Sequence, residues 1–343
     1  MPNATLDIST PAASPDAARR PKVLVSILNW NGAAKTLVCL ASLDAELAAT
    51  PADVRILVID NGSRAEDVAA LKSGITSSDI VLKCLPQNLG FTGGHNVAIA
   101  LAIEQGDDFI WVLNNDATVA PGTLAKLVAA IQQDLRCGAV SPVLRDADDG
   151  TIIKCVSTHN WQKRISERIV SIEESERIQS EHPASVWVDG TAILFRIKAI
   201  EEVGPLDDRL FAYYDDNDIG VRLASRNWHS RCVFDATVFH DNKKEVKDFP
   251  LYLSYLLQRN EMLFWHKNTP PQYRHLLTLR MIDRGLFYAN KLRKHGIAGH
   301  ADAVLLGLYD YMIGKFGPPH HQRKVPLVMH MAAKASSLFY ACR

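Results

Sequence analysis

The chain has 343 residues, 47% of them hydrophobic and 22% charged, the proportions of a globular protein rather than a disordered or fibrous one. Its 38 Lys and Arg balance 38 Asp and Glu, which excludes bulk charge as a means of holding nucleic acid and leaves any basic surface local. Six scattered cysteines without a C-x-x-C pair exclude a zinc ribbon and fit a reducing, cytoplasmic compartment; no charge-free apolar run is long enough to span a bilayer, so any membrane contact is expected to be peripheral.

Residues 1–21 are rich in Ala, Pro, Ser and Asp, lack the apolar centre of a secretory signal, and are expected to form a disordered tail. From residue 22 to 245, short β-branched runs alternate with helical segments, the pattern of a parallel sheet covered by helices. VLVSILNW (23–30), RILVID (55–60), VLKCL (81–85) and FIWVLNND (109–116) read as strands. AKTLVCLASLDAEL (34–47), the segment that follows NLGFTGG (88–94), and PGTLAKLVAAIQQDL (121–135), opened by its proline, read as helices. Residues 145–185 are polar and without period, which predicts an excursion with little core. Further strands follow at AILFRI (192–197) and SRCVFDATVFH (230–240), with a helix at VRLASRNW (221–228) between them. Residues 246–343 form a helical, aromatic and more basic extension.

Three strands end in polar residues: Asn29-Trp30-Asn31-Gly32, Asp60-Asn61-Gly62-Ser63 and Asn114-Asn115-Asp116. One Asx-Gly pair only makes a turn, but three successive strand ends point to one crevice, because ligands of open α/β sheets lie beyond the carboxyl ends of the strands. There Asp60 could accept from a base or ribose, and Asp116 could share a divalent cation with a diphosphate. The glycines of Asn88-Leu89-Gly90-Phe91-Thr92-Gly93-Gly94-His95-Asn96 would let backbone approach a ligand, although the spacing does not match G-x-G-x-x-G. The densest signal is Asp215-Asp216-Asn217-Asp218 after Phe211-Ala212-Tyr213-Tyr214: adjacent carboxylates raise one another's pKa, and one of them could act as a general base.

In the order VSILNWNG, VIDNGS, NLGFTGGHN, LNNDATV, VDGTAILFR, YYDDNDIGVRL and His240, these segments make residues 22–265 resemble the family 2 glycosyltransferases, especially the branch with bacterial rhamnosyl- and galactofuranosyltransferases. The resemblance implies a GT-A fold: a Rossmann-like nucleotide-binding sheet flanked by helices, here with the C-terminal extension. It implies Asn29, Asp60 and Asn88 around a nucleotide-sugar donor, with Mg²⁺ or Mn²⁺ on Asp116 and His240; Asn31, Asn61, Gly90, Gly94, Asn96 and Asn115 are expected to line the same donor site. In the D-x-D metal motif the first carboxylate is replaced by Asn114. The resemblance makes Asp216, beside Asp215, the base of an inverting displacement. Trp187, Asp189, Gly190, Tyr213 and Tyr214 are expected to receive a glycan or lipid-linked acceptor. Arg259-Asn260 matches a pair common in such enzymes and carries no assigned role.

Two rivals stand beside this reading. A binder of nucleotide sugar or glycan without turnover would explain the reduced metal motif, and a phosphatase-like hydrolase is disfavoured because its leading Asp is Asn114. The C-terminal helices could rest on an anionic membrane, cap the domain or form a dimer interface.

Overall fold

The computed structural model describes residues 19–240, 247 and 249–341. Most of the expected tail and the boundary expected at residue 246 therefore lie outside the described residues. Residues 19–21 are not tail: Arg19 pairs with Asp108 at 2.7 Å, and Arg20 donates to the carbonyls of Thr50 and Ala52.

The chain opens with a βαβαβ run: β1 (Lys22–Asn29), α1 (Ala33–Ala49), β2 (Asp53–Asp60), α2 (Ala65–Gly74) and β3 (Ile80–Cys84). It continues through α3 (Gly90–Glu104), β4 (Phe109–Asn114), β5 (Ala117–Val119), α4 (Thr123–Gln133) and β6 (Cys137–Asp146). Next come β7 (Ile152–Lys154), β8 (Val156–Asn160), β9 (Ile165–Ile169), α5 (Ile172–Glu181), β10 (Val186–Trp187) and β11 (Ala192–Arg196). The domain finishes with α6 (Ile197–Val203), α7 (Asp215–Ser225) and β12 (His229–His240). Four helices follow: α8 (Leu251–Asn268), α9 (Leu277–Lys294), α10 (Ala298–Met312) and α11 (Leu327–Ala341).

The main sheet runs β3-β2-β1-β4-β11-β6-β12-β5, with β7 beside β6. Alternation along β1 sends Val23, Val25 and Ile27 to one face, against Leu40 and Leu43 of α1 and Leu127 of α4. Leu24 goes to the other face, against Ala98, Ile99 and Ala102 of α3. Each fully buried large apolar side chain contributes about 1.5–3 kcal/mol, and the five consecutive buried residues of β4 show why this strand sits at the sheet centre.

The sheet departs from the all-parallel expectation. β11 lies antiparallel to both β4 and β6, and β5 antiparallel to β12. β6, which carries Pro142, gave no clear strand signal; Pro142 is tolerated because it pairs at the bulge between Val233 and Thr237 of β12. Pro121 does not open α4, since Gly122, with φ 77°, is the N-cap and the proline precedes it.

Residues 145–185 are also more ordered than expected. They supply β8 and β9, which β10 completes into a second sheet, β10-β8-β9, and they add Cys155 and Val156 to a small core with Val143, Val186 and Cys232. Two residues of β8 and none of β9 are fully buried, so no period survives in the sequence. The C-terminal helices enclose their own core around Met262, Phe264, Trp265, Met281 and Leu305. Among the described residues no helix is long and apolar enough to cross a membrane.

Candidate active site

The parallel register of β1 and β2 sets Asn29 beside Asp60 at the sheet's carboxyl edge. Asn29 Nδ2 donates to Asp60 Oδ1 at 3.0 Å and to Asp67 Oδ2 at 2.7 Å, while its Oδ1 accepts from Thr36 Oγ1 at 2.9 Å. Asp60 also accepts from the Ser63 amide, and both residues are almost wholly buried. Buried polar groups need partners, and here they satisfy one another, forming the floor of the crevice and fixing the loops above it. Asn61 Nδ2 donates to Asn88 Oδ1 and to the Gly90 carbonyl, both at 3.0 Å, and Asn115 Nδ2 donates to Thr36 Oγ1 at 2.9 Å. Asn31, at φ 52°, accepts from the Arg64 amide. Asn29, Asn31, Asp60, Asn61, Asn88, Gly90 and Asn115 thus share one edge. Trp30, which the sequence reading passed over, stands 49% exposed among them, its aromatic ring out of place beside strand-end polar residues.

Two residues expected in this group face elsewhere. A Cβ on Gly94 would meet Leu28 at 2.4 Å, so this glycine serves helix–strand packing. Asn96 spends its side-chain amide on the 206–208 loop, donating to the Leu206 carbonyl and Asp208 and accepting from the Leu206 amide. Gly90, at φ 77°, approaches protein rather than open crevice: a Cβ there would lie 2.3 Å from the Phe211 carbonyl.

Asp116 and His240 come together because β12 pairs antiparallel with β5, setting His240 opposite Ala117. His240 Nε2 is 3.1 Å from Asp116 Oδ1, and Lys35 Nζ is 3.6 Å from the other oxygen. Burial works to raise the Asp116 pKa, but the hydrogen bond and charge of His240, with Lys35, outweigh it and keep the carboxylate ionised. Among the described residues no three His, Cys, Asp or Glu side chains cluster as metal ligands. One carboxylate and one imidazole suit a hard or borderline divalent cation whose remaining positions go to phosphate oxygens and water.

The carboxylate pair sits at the first turn of α7, where the helix dipole favours negative charge. Asp216 Oδ1 accepts from the amide and side chain of Asn217, at 2.8 and 2.9 Å; its Oδ2 accepts from the Gly190 amide at 3.3 Å and lies 3.9 Å from Lys154 Nζ. Lys154, buried in β7, also pairs with Asp189 at 2.9 Å and lies 3.9 Å from the centre of the Trp187 ring. Burial pushes Asp215 up to about 8, with Asp216 and Asp189 adding to the effect. Burial likewise raises Asp216, against the pull of Lys154. For Asp189 burial is outweighed by Lys154 and Thr191, which hold it well below the usual carboxylate range. Burial therefore favours the protonated form of Asp215, and Asp216, beside a lysine, is the better placed proton acceptor.

Sequence reading missed Lys154, a lone charge in an apolar strand, and the network behind Asn217. The side-chain oxygen of Asn217 lies 3.0 Å from His159 Nε2 and accepts from Ser166 Oγ, so β8 and β9 hold the residue that holds Asp216. Trp187 is 5% exposed and stacked on His159, which makes it a wall of the cavity rather than an open platform. Tyr213, at 37%, is the more accessible ring. Asp216, Asp189, Gly190, Tyr213, Tyr214 and His240 all line one cavity of about 510 Å³.

The loop before α7 bends through Phe211, Tyr213 and Tyr214, all at positive φ, which is costly for side chains of this size. Arg259 and Asn260 of α8 hold it there. Asn260 Nδ2 donates to the carbonyls of Leu210, Ala212 and Tyr213, and fully buried Arg259 donates to those of Arg209, Leu210 and Gly317. Asp218 adds a tie from α7 to α8 through Lys267 and Asn268.

The comparisons with known proteins agree with this architecture. The mannosyltransferase PcManGT of Pyrobaculum calidifontis, solved with GDP-Man and Mn²⁺, superposes with a TM-score of 0.54 over 87% of this chain and 89% of its own, at 16% identity. GalNAc-T7, solved with UDP, GalNAc and Mn²⁺, gives 0.53 over 76% of this chain and 55% of its own, at 14% identity. At these identities the likeness establishes the fold, GT-A. In sequence, the chain is 30% identical over 225 residues to an N-acetylglucosaminyl-diphospho-decaprenol L-rhamnosyltransferase of Mycobacterium tuberculosis, covering 59% of this chain and 70% of that one. It is 25% identical over 259 residues to galactofuranosyltransferase GlfT1 of the same species, covering 72% and 83%. The model of glycosyl transferase family 2 matches residues 24–204, more than half of the chain. With strand-end Asn29 and Asp60, the Asp116–His240 pair and the Asp215–Asp216 helix start all in place, the chain belongs to glycosyl transferase family 2.

Proposed function

We propose that the protein transfers a sugar from a nucleoside-diphosphate sugar, of the dTDP-rhamnose or UDP-sugar type, to a lipid-linked saccharide in the synthesis of a cell-surface polysaccharide, with inversion at the anomeric carbon. The observation that carries this reading is that Asp216 and His240, the partner of Asp116, line the same cavity, so a proton acceptor and a diphosphate site face one space. The rhamnosyl- and galactofuranosyltransferase relatives support the donor and acceptor classes.

The donor lies along the crevice beside Trp30, Asn31 and Asn88, above the Asn29–Asp60 floor. The acceptor enters from the side of Asp189, Gly190 and Tyr213. Asp216 takes the proton of the acceptor hydroxyl as that oxygen bonds to the anomeric carbon and the bond from that carbon to the diphosphate oxygen breaks; the nucleoside diphosphate leaves with the electron pair. Lys154 and the Gly190 amide hold Asp216 in its acceptor form and orientation. A divalent cation, Mg²⁺ or Mn²⁺, on Asp116 and His240 would neutralise charge on the departing diphosphate. The reaction belongs on the cytoplasmic side, with the basic and aromatic C-terminal helices turned toward the lipid surface that carries the acceptor.

The test is turnover of a panel of UDP-, dTDP- and GDP-sugars by purified protein with Mg²⁺, Mn²⁺ or EDTA, followed by release of nucleoside diphosphate. Release from one donor that requires the cation and an acceptor is the expected result. Tight donor binding without release across a broad acceptor set would make the protein a nucleotide-sugar binder instead.

A further inference from the structure

The acceptor side of the site continues beyond the sugar-transfer cavity. A second cavity, also of about 510 Å³, lies between α8, α9 and α10, and Tyr214 and Leu257 line both. Tyr214 immediately precedes the carboxylate pair, so the second space adjoins the first beside Asp215 and Asp216. The walls of the second are apolar: Leu253 and Leu257 from α8 face Phe287 and Tyr288 from α9, and Leu257, Phe287 and Tyr288 are each 38–48% exposed. Three large apolar side chains left in water around one groove mark a surface that gains by being covered.

The same groove has a cationic edge. Arg284 and Lys291 line it, with Glu261 its single lining carboxylate, and Arg284 is paired to Glu261 at 2.5 Å. Arg284 also donates to the carbonyl of Arg164, in the turn between β8 and β9. Arg164 is partly desolvated and repelled by Arg280 and Arg284, both of which lower its pKa, so three guanidinium groups converge beside the groove, of which Arg284 is paired with Glu261. Lys291 is exposed one helical turn beyond Phe287. Guanidinium and ammonium groups at the mouth of an apolar slot match an amphiphile with a phosphate head and a hydrocarbon chain.

We propose that this groove seats the carrier of the acceptor, with an isoprenoid-type chain on Leu253, Leu257, Phe287 and Tyr288 and its diphosphate on the Arg284–Lys291 edge. The proposal rests on the lipid-linked acceptor reading above and gives that acceptor a site outside the sugar-transfer cavity. The carrier thereby fixes the saccharide with its free end toward Asp216, and the C-terminal helices become part of the substrate site.

The experiment measures binding of a fluorescent long-chain polyprenyl diphosphate, in detergent micelles, to the full chain and to the variants Phe287→Asp and Lys291→Glu. Both changes are at exposed positions, and unchanged melting temperatures verify folding. Each variant is expected to weaken binding about tenfold, with the uncharged polyprenol and inorganic pyrophosphate each bound poorly by the unaltered protein. Unchanged binding in both variants overturns the proposal. So does an equal loss of binding to anionic vesicles lacking the carrier, which would make the groove a bilayer contact. Transfer to a soluble, lipid-free saccharide is expected to survive both substitutions; if it does while carrier binding ignores them, the groove assignment fails and glycosyl transfer stands. Specific carrier binding with no transfer to any acceptor would do the reverse.

Discussion

The donor edge and the base pocket are both made of buried polar residues, but they are stabilised in opposite ways. At the donor edge Asn29, Asp60, Asn61 and Asn88 come from neighbouring strand ends and exchange short-range hydrogen bonds that satisfy nearly every atom. The base pocket gathers Lys154 from β7, Asp189 from the loop before β11 and Asp216 from α7, and it holds like charges close together under a loop at positive φ. The first region is a rigid floor whose geometry follows from strand pairing. The second is held under electrostatic and backbone strain and keeps its shape only because α8 and the small β10-β8-β9 sheet grip it from outside. The proposed function puts the reactivity in the second, where burial shifts the carboxylates away from their ordinary pKa.

The sharpest test of this contrast is Asp216→Asn, which is expected to lower kcat by about 10³-fold while nucleotide-sugar affinity stays within twofold, since only the strained side is touched. Equal loss of donor binding would erase the distinction between the two regions. Asn260→Ala removes three hydrogen bonds to the loop carbonyls without touching either cavity's reacting groups. It is expected to reduce kcat by about 10- to 100-fold through misplacement of Asp216, again at unchanged donor affinity by calorimetry; a kcat loss below twofold would show that the loop holds its shape without α8.

A third test uses pH. Asp215 is raised to about 8 in the fold, above its value in the unfolded chain. Between those two values the folded state holds the extra proton, so this group's contribution to stability is complete at low pH and is lost as pH rises toward 8. Asp215→Asn should therefore raise the melting temperature more at pH 8.5 than at pH 5, and a gap independent of pH would mean that Asp215 is ionised throughout. The smallest expected effect is at Asn96→Ala, which frees the 206–208 loop and should cost about 1–2 kcal/mol of stability with no change in donor KM. A raised donor KM would return Asn96 to the nucleotide site.

Legibility in the sequence divides along the same line. Asn29, Asp60 and Asp116 could be read because each ends an apolar run, and strand pairing in a parallel sheet brings such ends together by itself. Asp215–Asp216 could be found as a dense carboxylate cluster, although nothing in the chain around it reveals that burial protonates one and a lysine tunes the other. Lys154 sits 62 residues before Asp216 in a segment whose half-buried strands show no period, and Arg259 follows it by 43. The packing of Gly94 on Leu28 and the contacts of Asn96 with the 206–208 loop could not be read in advance, because a glycine or an asparagine signals close approach or hydrogen bonding without naming its partner.

Local apolar periodicity and motifs kept in order along the chain were enough for the layered α/β class, the family and the gathering of polar strand ends at one sheet edge. Tertiary structure alone revealed how burial and Lys154 distinguish Asp215 from Asp216, what holds the loop before α7, and that the C-terminal helices form a groove adjoining the site. Those properties depend on desolvation and on contacts between segments far apart in sequence, and both exist only once the chain has closed around them.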